Sequence, residues 1–228
     1  MGIWPDNTCL MCDMPWKNNR VLYDGSPCCR GDGEESLACC LWLGALCLKM
    51  GADGRLRGEK LGESEPLFAF ETGKRVRRGS MAADVLFKTL YFAAGDEILA
   101  LDLESGEILW SLRLNGEAQS PMLFELAGPG GILPLLGAGD ESGSFFAVCR
   151  ESGETLWRAE IGFPIADVAA YAEGRLYISC TKLVACLDAS SGDVIWFQNT
   201  EAERGILHDG YYLAGGKAFR ASDGLSSP

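Results

Sequence analysis

Cysteine, histidine and aspartate are the residue types in this sequence whose spacing could support chemistry. Cys9 and Cys12 are separated by two residues, which is the spacing of half a structural zinc site. A complete site of this kind needs a second Cys-x-x-Cys about fifteen to twenty residues further on, but Gly31 stands where the partner of Cys28 is required. Free thiols, or disulfides without a recognisable pattern, are the alternative, and we predict no metal site.

His208 is the only histidine of the chain. Without a second histidine, and without a serine in a nucleophile elbow, hydrolysis by a Ser-His-Asp triad has no support. Four aspartates near strand ends or turns could lie together at one opening of the folded chain. The preference of aspartate for turns explains their positions equally well. They are Asp96, Asp140, Asp167 and Asp209. We therefore predict no catalytic and no cofactor-binding residues.

The charge of the chain is unevenly distributed. Residues 1–80 carry eleven basic and eleven acidic side chains, whereas residues 81–228 carry nine basic and twenty-one acidic ones, which gives the whole net charge of −12. A surface with this excess of acid repels a phosphate backbone. We therefore expect no nucleic acid partner.

The cysteines are also concentrated in one part of the chain, since seven of the ten lie in the first fifty residues. Residues 1–10 lack the basic and apolar parts of a cleavable signal peptide. The longest apolar run, Leu37–Met50, is too short to span a bilayer, so we expect no membrane span. The chain as given predicts a cytoplasmic protein, and many unpatterned cysteines suit a reducing compartment.

An internal repeat organises the rest of the sequence. Three segments of eleven residues align without gaps, and each has a glycine at its seventh position and a tryptophan at its last. They are Ala100–Trp110, Ala147–Trp157 and Cys186–Trp196. The tryptophans are 47 and 39 residues apart, close to the length of a four-stranded propeller blade. Weaker copies begin at Leu67, where the alignment puts Arg77 at the tryptophan position, and at Ala218.

Each copy joins two strand-like runs through a short turn that ends in glycine. Gly106 can adopt a positive φ at no steric cost, as the last position of such a turn requires. In the strand that follows, alternation places Trp110 on a wholly apolar face. A single hairpin cannot bury such a face, so the units must stack sheet on sheet.

This pattern resembles the tryptophan-docking motif of the PQQ-like β-propeller family, the quinoprotein alcohol dehydrogenases and their non-catalytic, BamB-like relatives. The resemblance covers about 160 of the 228 residues. It implies an all-β fold of four-stranded antiparallel blades, about four to five in number. It also implies that the tryptophans at positions 110, 157 and 196 lie between blades, opposite the tightly packed Ala100, Ala147 and Cys186.

The resemblance divides the chain into a cysteine-rich segment of unclear fold, residues 1–65, and PQQ-like repeats, residues 66–228. Two of the copies depart from the motif, because Cys149 and Arg220 replace the aspartate found at Asp102 and Asp188. Some members of the family have a disulfide between adjacent cysteines. The adjacent pairs here, at positions 28–29 and 39–40, lie outside the recognisable repeats.

Two functions follow from these observations. The motif is structural and no catalytic groups converge, so we expect a non-enzymatic scaffold that binds a protein partner or a second copy through loops or an exposed blade edge. The alternative is a remnant or fragment of a quinoprotein dehydrogenase, and only this alternative requires PQQ with Ca²⁺. The family analogy implies an extracytoplasmic protein, in conflict with the absence of a signal peptide.

Overall fold

The computed structural model describes the backbone of residues 16–17, 20–21, 37–77, 80–119, 121–128 and 131–226. In these residues all regular secondary structure is β-strand. None of them forms a helix long and apolar enough to cross a membrane. The chain divides into two compact units, Met1–Leu112 and Arg113–Pro228.

The first unit contains a short two-stranded ladder and two four-stranded antiparallel sheets. Its strands are β1 Trp16–Lys17, β2 Arg20–Val21, β3 Leu37–Leu43, β4 Leu46–Gly51, β5 Arg55–Lys60, β6 Phe68–Glu71, β7 Met81–Asp84, β8 Thr89–Ala94, β9 Glu97–Asp102 and β10 Ile108–Arg113. Strands β3 to β6 pair in sequence order and form the first blade, and β7 to β10 form the second. The first blade spans residues 37–71, on both sides of the division predicted after residue 65.

Alternation along the strands builds the core of this unit. In β4, Leu48 and Met50 are fully buried and belong to one apolar cluster with Leu90 and Phe92 of the second blade. Cys47 and Lys49 alternate with these two positions in the sequence and lie on the opposite face. The first blade therefore presents an apolar face to the second, as stacked blades require.

The predicted alignment of the first repeat copy is wrong. Phe68, and not Arg77, occupies the tryptophan position, because Gly58 pairs with Phe68 in the register in which Ala147 pairs with Trp157. A Cβ at Gly58 would lie 2.6 Å from the Phe68 ring. The physical reason for the error is that the preceding turn lacks both the aspartate and the glycine of the motif, so the true copy has no signature in the sequence.

The second unit contains two four-stranded sheets and one three-stranded sheet. Its strands are β11 Met122–Gly128, β12 Gly131–Gly139, β13 Ser144–Cys149, β14 Thr155–Glu160, β15 Ile165–Ala172, β16 Arg175–Cys180, β17 Leu183–Asp188, β18 Val194–Asn199, β19 Gly205–His208, β20 Tyr211–Ala214 and β21 Lys217–Arg220. Strands β11 to β14 form the third blade, β15 to β18 the fourth, and β19 to β21 the fifth. An isolated bridge between Phe219 and Ser226 continues the fifth blade.

The fourth blade is buried on both faces. Leu176 and Ile178 pack in a cluster with the third blade, whereas Tyr177, which alternates with them, packs with Tyr212 of the fifth. All four side chains are at most 2% exposed. The predicted fold class is thus confirmed: the described residues are all-β and form antiparallel propeller blades, of which four are four-stranded and the last is three-stranded.

Candidate protein-binding surfaces

Trp157 and Trp196 lie between neighbouring blades of the second unit, as predicted. The indole N–H of Trp157 donates to the carbonyl oxygen of Ala189 in the next blade at 3.0 Å. A Cβ at Gly192 would lie 2.5 Å from the same indole ring, so only glycine permits this contact. Trp196 repeats the arrangement with the carbonyl of Ala221, at 3.0 Å, and with Gly224.

The turn of the motif is closed by the side chain at the aspartate position. The Asp188 carboxylate accepts the backbone N–H of Ser190 at 2.8 Å and that of Ser191 at 3.1 Å. Asp102 does the same for the N–H groups of Glu104 and Ser105. These donors lower the pKa of both carboxyls below the usual range, Asp188 chiefly through the Ser190 hydroxyl and Asp102 chiefly through the Ser105 N–H.

An exposed apolar hairpin distinguishes the second blade. Three of the four residues that connect β7 to β8 are apolar. We call Val85, Leu86 and Phe87 the apolar tip, and their side chains are 66%, 88% and 45% exposed. The buried carboxylate of Asp84 accepts the backbone N–H of Leu86 at 3.0 Å and that of Phe87 at 3.2 Å. These bonds fix the backbone while the side chains point to solvent.

The corresponding hairpins of two other blades are polar at the tip. Glu173 and Gly174 connect β15 to β16, and Asp209 and Gly210 connect β19 to β20. These residue pairs are typical of tight hairpin turns. The apolar tip is therefore a particular feature of its blade and not a requirement of the repeat.

A second apolar surface lies on the outermost strand of the fourth blade. Val194, Ile195 and Phe197, together called the β18 edge, are 49%, 42% and 57% exposed. Among the strands that the structure describes, β18 has one hydrogen-bonded neighbour, β17. The position of Phe197, directly after the tryptophan, holds Ser111 in β10 and Arg158 in β14.

Part of the second unit matches a known protein family. Residues 141–224, which include β13 to β21 and the turn after β21, match the family model described as outer membrane protein assembly factor BamB. These repeats are PQQ-like propeller blades. No curated protein sequence matches the chain significantly.

Solved structures support the same fold. BamB from Moraxella catarrhalis is similar with a TM-score of 0.65 and 15% sequence identity, over 86% of this chain and 64% of that one. The computationally designed Ika8 protein is similar with a TM-score of 0.61 and 12% identity, over 86% of this chain and 59% of that one. The chain thus spans less than two thirds of either structure, and the likeness concerns the fold.

The described side chains among the four aspartates that could have met at one opening take part in other contacts. Asp96 pairs with Lys74 at 2.6 Å. The fully buried Asp140 accepts the Ser144 N–H at 3.0 Å within its own turn and the Asn115 N–H at 3.1 Å. Asp209 is exposed at a hairpin turn beside His208. The side chain of Asp167 lies outside the described residues.

Each of these carboxylates with a described side chain accepts backbone hydrogen bonds or contacts a basic side chain. Among the described residues, no three His, Cys, Asp or Glu side chains gather as metal ligands do. Cys9, Cys12, Cys28 and Cys29 lie outside the described residues, as does the side chain of Cys39. The predictions made for them stay predictions.

Sequence reasoning missed both apolar surfaces. For the apolar tip the signal was present, because a hairpin of three consecutive apolar residues contradicts ordinary turn chemistry. For the β18 edge the signal was the comparison of Phe197 with Ser111 and Arg158 in aligned repeats. Both signals are departures from the repeat pattern, so the features that the repeats share do not predict these surfaces.

Proposed function

We propose that this protein is a non-enzymatic propeller scaffold that binds a protein partner through the apolar tip. The observation that carries the proposal is the exposure of three consecutive apolar side chains on a hairpin whose backbone is fixed by Asp84. Exposed apolar clusters on soluble proteins mark interaction sites. A pre-ordered hairpin also loses little conformational entropy on binding.

The charge around the tip favours a protein over a membrane surface. Residues 81–112 contain one basic and six acidic side chains. The single lysine, Lys88, is paired with Glu104 at 2.5 Å, and the carboxylate hydrogen bond raises its pKa. An anionic bilayer repels such an acidic surface. An apolar pocket of a partner protein can bind Leu86 without any attraction between charges. Similarity to the BamB family supports an extracytoplasmic protein, which fractionation of the source cells tests.

Site-directed cross-linking tests the proposal. A photo-cross-linking amino acid is placed at Leu86 and, as the matched control, at Glu173 in the equivalent hairpin of the fourth blade. We expect discrete covalent adducts with one or a few proteins from position 86 and none from position 173. Val85→Gln with Phe87→Gln should abolish the adducts without changing the melting temperature, because all three side chains are exposed.

Equal adducts from positions 86 and 173, or adducts that survive the double substitution, would contradict binding at the tip. The quinoprotein alternative is tested on the same protein. A ligand that binds the folded state raises the melting temperature by mass action. For a protein that does not bind PQQ, addition of PQQ with Ca²⁺ should therefore leave the melting temperature unchanged.

A further inference from the structure

The outer side of β18 presents backbone hydrogen-bonding groups that no other described strand pairs with. The N–H of Thr200 donates to the carbonyl oxygen of Lys182 across the β17–β18 ladder at 3.1 Å. In an antiparallel ladder, alternate residues direct their backbone groups to the partner strand. Gln198 therefore faces β17, and the N–H and C=O groups of Phe197 and Asn199 point away from the sheet.

The register limits where a further strand can pair. Cys186 pairs with Trp196 and Leu187 with Val194, so Ile195 is the extra residue of a β-bulge. A bulge interrupts the regular ladder and discourages pairing at an edge. The segment from Trp196 to Asn199 is regular and is the part of β18 that remains available.

The side chains of this segment lack the usual protection of an edge strand. In β14 the position of Phe197 holds Arg158, whose guanidinium bonds to Ser144 and lies over the ring of Phe146 at 5.3 Å. A charged residue at an edge discourages strand addition. Phe197 instead supplies 57% exposed aromatic surface next to free backbone groups.

The charge of the second unit indicates whether a strand added to β18 comes from a second copy of this chain or from a different protein. Residues 113–228 contain eight basic and fifteen acidic side chains. Two copies of this unit repel each other, whereas a basic segment is attracted. The charge therefore favours a partner that carries lysine or arginine.

We propose that β18 receives an extended segment of a partner protein as an added strand. The segment pairs with the backbone of Phe197 and Asn199, places an apolar side chain against Phe197, and has lysine or arginine at its flanks. Main-chain hydrogen bonds supply affinity in such complexes, and alternate side chains supply specificity. This site lies in the second unit and is independent of the apolar tip in the first.

A synthetic peptide of alternating valine and threonine with lysine at both ends is the probe. Backbone amide exchange of the full-length protein is measured by NMR with and without it. We expect slower exchange at Phe197 and Asn199. A peptide N-methylated at the residues that face β18 should bind at least about tenfold more weakly, because it cannot complete the ladder. A glutamate-flanked peptide should also bind more weakly.

Phe197→Ser, which copies the residue of β10, should weaken binding several-fold without unfolding the blade. The matched control, Leu156→Ser on the edge of β14, and Leu86→Gln at the apolar tip should leave binding unchanged. The proposal is overturned if the peptide protects no amide between residues 194 and 199, or if the N-methylated peptide binds equally well. Protection that grows with protein concentration alone identifies a second copy as the occupant and likewise overturns it.

Discussion

Cys149 stands in the third blade at the position that aspartate holds in the second and fourth. Burial raises the pKa of this thiol, but hydrogen bonds from the side chain and N–H of Ser152 and from the N–H of Glu151 outweigh burial and lower it. The donors that close the turns at Asp102 and Asp188 are therefore present here as well. The three repeats share this turn geometry. They differ in the side chain that accepts the turn hydrogen bonds, which is cysteine in the third blade and aspartate in the second and fourth.

This equivalence predicts that Cys149→Asp stabilises the protein. A carboxylate accepts the N–H groups of Glu151 and Ser152 better than sulfur does, so we expect the free energy of unfolding to rise by about 0.5–1.5 kcal/mol at pH 7. Urea denaturation measures it. Cys149→Ala, which removes the acceptor, should be destabilising. A Cys149→Asp protein less stable than the parent would show that the thiol is preferred for its packing.

The same turn predicts a pH-dependent contribution from Asp188. Its folded-state pKa is lowered by the Ser190 hydroxyl and by the N–H groups of Ser190 and Ser191. A lowered pKa gives stability that is present above the unfolded value, about 3.9, and is lost as the pH falls through the folded value. Asp188→Asn should therefore cost about 1 kcal/mol at pH 7 and less at pH 3, by urea denaturation at both pH values. An equal cost at both would exclude a role for the charge.

The corrected register of the first blade gives a third prediction at residue scale. Phe68 is 8% exposed and packs against Gly58 and Gly106, whereas Arg77 is exposed. Phe68→Ala should lower the free energy of unfolding by about 3–4 kcal/mol, because it opens a cavity. Arg77→Ala should change it by less than about 0.5 kcal/mol, which is typical of surface positions. Similar effects for the two variants, in thermal or urea unfolding, would restore the alignment at Arg77.

At the scale of elements, the turn glycines have two separable roles. Gly192 has a φ of 80° and lies against Trp157, whereas Gly210 has a φ of 76° with open space where a Cβ would be. Gly210→Ala should cost about 1–2 kcal/mol through backbone strain alone. Gly192→Ala should cost at least about 1 kcal/mol more, because the new Cβ displaces the indole from the next blade. Equal costs in calorimetry would mean that the tryptophan contact adds nothing to the packing of blades.

The sequence was sufficient for those elements in which motif and geometry coincide. Around Trp157 and Trp196, the turn glycine, the small paired residue and the alternation all indicated one blade, and the structure agrees. The first blade could not be found this way, because Phe68 and Gly58 replace the tryptophan and alanine while the packing remains. At the apolar tip the Asp84 turn is local, but the exposure of Leu86 depends on the absence of covering side chains among the described residues, which no repeat pattern encodes.

At the scale of the whole molecule, net charge opposes association of molecules through their exposed apolar surfaces. The charge of −12 at pH 7 vanishes near the isoelectric point of about 4.6. Repulsion between molecules keeps them apart at neutral pH, whereas a protein without net charge associates through its apolar patches. We therefore expect light scattering at low salt to show reversible self-association that is strongest near pH 4.6.

The uncharged substitutions Leu86→Gln and Phe197→Ser locate the surfaces responsible, because neither alters the isoelectric point. Each should reduce the association at pH 4.6, and the double variant should reduce it most, since the two sites lie in different units. Leu156→Ser, a loss of apolar surface elsewhere on the third blade, is the control and should have the smaller effect. Equal association in the parent and in all four variants would assign it to the general loss of charge and would contradict a role for the apolar tip and the β18 edge.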